Sequence, residues 1–266
     1  MLGLGSSLTG GVALDDFPNK YSIEFDGTDD YISLGDLDGN AIHYSSSNLT
    51  SHGVTISMWV KLDTLQTTGF WCNDGVGDAT YSGMWVQVNA AGRPMLQYGD
   101  GSGNSGSARK GRISGSGDAL TTGTWYHLVY VFASDDRADW KIYKDKISIT
   151  LANSGSYSGT VGYEAGTAPG GIGARGDFNG IDGKMCDVAV WNTALGQDEV
   201  TSIYNNGKPN DLEKAASYTS AGGSDKSGNL VAYWKMEEGS GTSVADAKGD
   251  YDGTFVASPT WSTDTP

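Results

Sequence analysis

The chain has 266 residues, of which 40 are glycine, 18% are charged and 11% are aromatic. This composition is typical of many short strands joined by turns. A net charge of -15 and a pI near 4.4 exclude nucleic acid and anionic lipid as partners. No apolar run is long enough to insert into a membrane, and residues 1–11 (MLGLGSSLTGG) lack the pattern of a signal peptide, so no export signal is expected.

The first twenty residues are rich in glycine and serine and then acidic, a composition that cannot form a core element. We expect residues 1–20 to form an arm that contacts another chain in an assembly.

Strand patterns follow along the chain. Residues 54–60 (VTISMWV) alternate in the manner of a strand with one face in a core, and the same period recurs at residues 84–88 and 140–143. Residues 125–132 (WYHLVYVF) are apolar on both faces, as a central strand is, and residues 187–191 (DVAVW) form a further strand.

The sequence predicts one short helix, at residues 197–205 (QDEVTSIYN). Asp198 and Glu199 favour its first turn, and Gly207 is placed to end it. Many strands, glycine-rich loops at residues 99–117 and 153–173, and no repeat together predict an all-β, two-sheet sandwich.

Several of these segments resemble, in order, the motifs of a laminin-G-like domain of the concanavalin A-like superfamily. The matching segments are residues 25–32 (FDGTDDYI), 54–60, 125–129 (WYHLV), 142–145 (IYKD) and 178–195, followed by the helix. The resemblance implies an antiparallel jelly-roll sandwich with its core motifs in residues 21–207.

One part of the resemblance is out of order. Residues 229–242 and 246–254 resemble the strand pair that usually precedes the FDG motif in this family, yet here they come last. Either the domain is circularly permuted, or these strands complete the sheet of a neighbouring copy.

The expected organisation has five parts along the chain. It comprises the arm 1–20, a single sandwich over 21–262 with core motifs 21–207, a linker 208–227 and a closing strand pair 228–262, and a tail 263–266.

The arrangement also resembles laminin-G-like proteins of tailed phages. This implies a non-enzymatic structural protein of the virion surface, a capsid decoration or a fibre or tail component, assembled in the host cytoplasm. Its partners would be copies of itself, as a homo-oligomer, or other virion proteins. The alternative is a carbohydrate-binding adhesion module that recognises cell-surface polysaccharide.

Glycoside hydrolysis is a distant alternative, because the superfamily includes glycosidases that carry alternating carboxylates on one strand. Glu24, Asp26 and Asp29 superficially match, but Gly27 interrupts the strand where rigidity is needed. The three histidines (His43, His52 and His127) offer few bases, so we predict no catalytic residues.

Five aromatic residues in one third of the sequence are candidates for glycan binding: Trp59, Trp71, Tyr81, Trp85 and Tyr98. The alternative is that they are ordinary core residues of a sandwich.

A segment rich in aspartate and glycine, DAKGDYDG at residues 246–253, is the candidate metal site. The resemblance to laminin-G-like and pentraxin-like domains implies a structural calcium ion held by Asp246, Asp250 and Asp252, with Asp187 as a distant contributor. The alternative is that these acids cap a turn.

Overall fold

The computed structural model describes residues 17–35, 52–73, 80–159, 161, 169–174 and 180–266. In chain order, the strands are β1 (Ser22–Asp26), β2 (Tyr31–Gly35), β3 (Val54–Leu62), β4 (Thr68–Cys72), β5 (Ser82–Val88), β6 (Pro94–Asp100), β7 (Arg109–Ser114), β8 (Trp125–Phe132), β9 (Lys141–Lys144), β10 (Ile147–Ser148), β11 (Leu151–Gly155), β12 (Gly170–Ile172), β13 (Asp182–Trp191), β14 (Leu230–Trp234), β15 (Ser243–Val244), β16 (Gly253–Val256) and β17 (Thr260–Ser262). A helix, α1 (Gln197–Tyr204), lies between β13 and β14.

Within the described residues these strands form two antiparallel sheets. The eight-stranded sheet has the order β10-β9-β8-β3-β13-β1-β17, and β14 also pairs with β13. The nine-stranded sheet has the order β11-β7-β6-β5-β4-β12-β2-β16-β15. The predicted all-β sandwich is confirmed.

The main core lies between the two sheets and is built by alternation. In β3, for example, Val54, Ile56 and Met58 are fully buried in one cluster with residues of the opposite sheet such as Met84 and Val86. Burying a side chain of this size stabilises the fold by about 1.5–3 kcal/mol.

The last strands of the chain close both sheets. β17 pairs with β1, placing Ser262 opposite Ser22, and β16 pairs with β2, placing Thr254 opposite Ser33. The ends also touch, because the Asn19 side-chain amide donates to the carbonyl oxygen of Pro266 at 2.9 Å. This is the arrangement that circular permutation predicts, with the closing strands in their own sandwich.

A third layer covers the outer face of the eight-stranded sheet. A second apolar cluster joins Val129 and Trp191 of the sheet to Val200 and Ile203 of α1 and to Leu212. The predicted helix is confirmed, and the Gly196 backbone nitrogen donates to the Glu199 carboxylate at 3.0 Å. The helix ends at Tyr204, because Asn205 and not the predicted Gly207 caps it in the left-handed region, at φ 46°.

Two segments that we expected as a linker and a tail are packed instead. In residues 208–227, Tyr218 is fully buried, accepts a hydrogen bond from Trp191 Nε1 (3.0 Å) and donates to the Leu212 carbonyl (2.6 Å). In the tail, the Asp264 carboxylate bonds Lys61 Nζ at 2.7 Å and Trp125 Nε1 at 3.1 Å. Among the described residues, no helix is long and apolar enough to cross a membrane.

Candidate functional site

The outer face of the nine-stranded sheet carries a row of polar and aromatic side chains. Trp85 of β5 lies opposite Gln97 of β6, and Gln97 lies opposite Gly111 of β7. The alternate residues Met84 and Val86 point into the core. Alternation therefore places Trp85, Gln87, Gln97 and Arg109 together on the face that is turned away from the core.

Trp85 and Arg109 form a stack with Tyr81, the residue that precedes β5. The rings of Tyr81 and Trp85 are 5.6 Å apart and nearly parallel, at 22°, and the Arg109 guanidinium lies 5.1 Å from the centre of the Tyr81 ring. Gly99 is needed here, because a Cβ at this position would lie 2.2 Å from the Tyr81 carbonyl oxygen. A cation and two aromatic rings are thus held in a fixed order.

Two glutamines hold the stack in place. Trp85 Nε1 donates to the amide oxygen of Gln87 at 2.5 Å. Arg109 donates to the amide oxygen of Gln97, and to the Ser154 hydroxyl at 3.1 Å. The Gln87 amide nitrogen donates to the sulfur of Met95, a weak acceptor, at 3.7 Å.

Burial divides this cluster into a base and a surface. Trp85 is 0% exposed, Gln97 2% and Gln87 4%, whereas Tyr81 and Arg109 are half-buried. Tyr81 and Arg109 are therefore the groups of the cluster that a ligand can reach first.

The five aromatic candidates do not form one platform. The structure brings Tyr81 and Trp85 together, whereas Trp71 and Tyr98 lie in the core between the sheets. Trp59 lies on the other sheet, stacked on His127 at 4.9 Å and on Tyr204 of α1 at 5.8 Å. Because Trp59, Trp71, Trp85 and Tyr98 are at most 2% exposed, the geometry supports only Tyr81 as a surface residue of this set.

Gln87, Gln97 and Arg109 were not predicted as site residues. Gln97 and Arg109 share a face with Trp85 through the pairing of β5, β6 and β7. The alternation of residues 84–88 does place Gln87 beside Trp85, and this is the one signal that the sequence contains.

Two of the predicted calcium ligands, Asp246 and Asp252, accept backbone hydrogen bonds within their own part of the fold. The two oxygens of the Asp246 carboxylate accept four backbone hydrogen bonds, from Tyr233 (2.7 Å), Lys248 (3.0 Å), Asp250 (3.2 Å) and Tyr251 (3.2 Å). Asp252 accepts one from the backbone nitrogen of Asp246 at 2.8 Å. This geometry matches the alternative, in which aspartates cap a turn.

Asp187 is also used within the fold. It is 2% exposed, lies at an irregularity in the pairing of β13 with β3, and accepts a hydrogen bond from the Tyr233 hydroxyl. The pKa of the Asp187 carboxyl is raised to about 7, and burial is the main cause of this shift.

Within the described residues, a different trio places one carboxylate oxygen each within 4.8 Å of the others: Asp26, Asp29 and Asp30. The oxygens of Asp30 accept hydrogen bonds from the backbone nitrogens of Asp26 (3.1 Å) and Ser258 (2.7 Å), and Asp26 accepts one from Thr28 (2.9 Å). The carboxylates of Asp26 and Asp30 are thus engaged in shaping a turn.

The groups considered for catalysis are held in structural contacts. Glu24 forms an ion pair with Lys184 at 3.1 Å. His127 is 1% exposed, its Nε2 lies 2.9 Å from the Ser57 hydroxyl, and burial lowers its pKa to about 3. A group with so low a pKa is a poor general base at neutral pH.

Several solved structures are similar to this chain. A candidate carbohydrate-binding protein from Bacteroides ovatus ATCC 8483 is 19% identical with a TM-score of 0.58, over 92% of this chain and 60% of that one. This chain thus spans about three fifths of that protein. A heptameric SAP-like pentraxin from Limulus polyphemus is 16% identical, with a TM-score of 0.41, over 70% of this chain and 82% of that one. A Trypanosoma rangeli sialidase is 16% identical, with a TM-score of 0.46, over 73% of this chain and 28% of that one.

No curated protein matches the sequence. The profile of one family does, over residues 26–201, which is more than half of the chain and includes strands of both sheets. On this match, the chain belongs to the concanavalin A-like lectin/glucanases superfamily.

Proposed function

We propose that this chain is a non-catalytic saccharide-binding module whose ligand binds at the outer face of the nine-stranded sheet, at Tyr81 and Arg109. The observation that carries the proposal is the Arg109–Tyr81–Trp85 stack, held in place by Gln87 and Gln97. The lectin superfamily gives the class of ligand, and the Bacteroides protein of the same fold makes saccharides the first ligands to test.

The chemistry of the stack suits a sugar ring. An aromatic ring buries the C–H face of a pyranose, while guanidinium and amide groups bond its hydroxyls. A stack that is ordered before binding loses less entropy when the ligand arrives. Because the Arg109 guanidinium lies over the Tyr81 ring, a ligand at this face meets the cation and the aromatic ring together.

The proposal excludes hydrolysis because the acidic residues of β1 serve other contacts. Retaining and inverting glycosidases need two carboxyl groups facing one sugar. Here Glu24 is paired with Lys184, and Asp26 bonds the backbone of its own turn. We expect the purified chain to release no reducing sugar from polysaccharides that it binds.

A glycan array with the purified chain tests the proposal. We expect saturable retention on at least one saccharide, and loss of that retention in Tyr81→Ala and Arg109→Met. Tyr126→Ala is the matched control, because Tyr126 is equally half-buried but belongs to the other sheet and has a lysine, Lys144, 5.7 Å from its ring.

Retention that survives both variants, or no retention on any saccharide, would contradict the proposal. Circular dichroism of each variant must match the wild type, so that a lost signal reports the site. The roles at a virion surface, in a homo-oligomer and with structural calcium remain predictions from the sequence resemblance.

A further inference from the structure

A groove of about 590 Å³ opens on the side of the molecule away from the Tyr81 stack. One wall is the segment that leads into β1, including Phe17, Asn19 and Lys20, and the other follows the end of α1, including Lys208 and Asn210. The groove belongs to the layer over the eight-stranded sheet, so it is separate from the proposed saccharide face of the other sheet.

The walls contain amide groups whose hydrogen bonds are incomplete. Asn210 is 4% exposed, and neither its amide nitrogen nor its amide oxygen has a partner among the described residues. The amide oxygen of Asn19 is likewise buried without a partner, while its nitrogen donates to Pro266. Buried amides without partners are costly, so a polar partner is expected at this place.

Two lysines lie on the walls of the groove within an acidic chain. Lys20 and Lys208 are exposed on opposite walls, and neither forms an ion pair with a described residue, although the net charge is -15. Glu237 accepts hydrogen bonds from the Lys20 backbone nitrogen at 2.9 and 3.0 Å, so it offsets part of the Lys20 charge. Of the two lysines, Lys208 has no comparable carboxylate contact among the described residues.

We infer that this groove binds a saccharide that carries a carboxylate, such as a uronic acid residue. Lys208, aided by Lys20, pairs with the carboxylate, and the Asn210 and Asn19 amides bond the ring hydroxyls. Phe17 and the neighbouring prolines offer apolar surface to the C–H groups of the ring.

Calorimetry with a matched pair of ligands tests the inference: a β-1,4-linked glucuronic acid trimer and cellotriose, which differ only at C6. We expect the acidic trimer to bind at least about tenfold more tightly than the neutral one, and this preference to fall as salt is added. Lys208→Gln removes most of the preference. Lys141→Gln, an exposed lysine of β9, leaves the preference unchanged.

Asn210→Leu separates a binding role from a structural one. Its side chain has no described partner, so leucine leaves the thermal midpoint equal or higher while it abolishes binding of the acidic trimer. A lower thermal midpoint with unchanged affinity would mean that the amide serves only the fold.

The outcomes also distinguish the two sites. Equal affinity for the two trimers, or a preference that Lys208→Gln does not change, overturns the inference. If Arg109→Met abolishes binding of the acidic trimer and Lys208→Gln does not, the ligand occupies the sheet face. The inference then fails and the proposed function stands.

Discussion

The Asp30 carboxylate accepts a hydrogen bond of 2.7 Å from the backbone nitrogen of Ser258, a residue 228 positions later in the chain. Its other oxygen accepts one of 3.1 Å from the backbone of Asp26. This contact ties the turn between β1 and β2 to the turn between β16 and β17. The strands on the two sides also pair, β1 with β17 and β2 with β16. One buried side chain thus fastens the end of the chain to the turn that connects the two sheets between β1 and β2.

Replacing this carboxylate should loosen both turns. We predict that Asp30→Ala lowers the free energy of unfolding by about 2–4 kcal/mol, because two backbone donors lose a charged acceptor. Urea unfolding at neutral pH measures the loss. The neighbouring Asp29 is exposed, so Asp29→Ala should change stability by less than about 0.5 kcal/mol. Equal losses in the two variants would contradict the assigned role of Asp30.

The loop at residues 246–252 offers a second test, which separates a capped turn from a metal site. Asp246→Ala removes the acceptor of four backbone N–H groups, so we predict a loss of about 3 kcal/mol or more. The exposed Asp250 tolerates Asn with little change. We also expect EDTA to leave the thermal midpoint of the wild type unchanged. A midpoint that rises with calcium and falls in Asp250→Asn would show instead that this loop is the calcium site.

Local patterns in the sequence were sufficient to predict most of the fold. The alternation of residues 54–60 predicts the buried face of β3, and the acids and glycine around residues 197–207 predict α1. Both signals depend on residues that are neighbours in the chain. Residues 208–227 contain few apolar residues, so their sequence indicates a linker. Those few residues are buried by contacts with the eight-stranded sheet, which the local sequence does not show.

The candidate site is harder to predict, because it depends on which strands pair and on which elements cover the outer faces of the sheets. The alternation in β3 predicts that Trp59 lies on the face away from the core, but it does not show that α1 packs over this side chain. A shift in the pairing of β4, between Gly69 and Trp71, turns both Phe70 and Trp71 into the core. Arg109 joined the site only through the register of β6 and β7.

His127 should make the protein sensitive to acid. Burial lowers its pKa to about 3, whereas an unfolded histidine titrates near 6.5. Its contribution to stability is therefore complete above pH 6.5 and is lost as the pH falls from 6.5 toward 3, because the unfolded state binds the proton first. The loss approaches about 1.4 kcal/mol per pH unit.

Urea unfolding between pH 7 and pH 4 tests this prediction. His127→Gln can keep the contact with Ser57, and its stability relative to that of the wild type should rise as the pH falls. His52 is exposed, so His52→Gln should follow the wild type. Parallel pH profiles for all three proteins would show that His127 does not titrate as described.

Asp187 should act in the opposite direction. Its pKa is raised from 3.8 in the unfolded chain to about 7 in the fold, chiefly by burial, while the Tyr233 hydroxyl opposes the shift. The native state then holds a proton that the unfolded state has released. The contribution is complete below pH 3.8 and is lost as the pH rises toward and through 7. Between pH 4 and pH 6.5 this slope offsets that of His127, so the wild type alone would show little net dependence from the two groups.

Asp187→Asn isolates this term, because asparagine resembles the protonated acid and tolerates the left-handed backbone at this position, φ 55°. We predict that the variant is more stable than the wild type at pH 8, by up to a few kcal/mol, the free energy that corresponds to the pKa shift. At pH 4 the two proteins should be nearly equal in stability. Asp250→Asn, which removes an exposed carboxylate, controls for the change in net charge. Because His127 still titrates in the Asp187→Asn variant, its stability should fall more steeply than that of the wild type between pH 6.5 and pH 4. A variant that is less stable than the wild type at pH 8 would mean that the charged carboxylate is favoured in the fold.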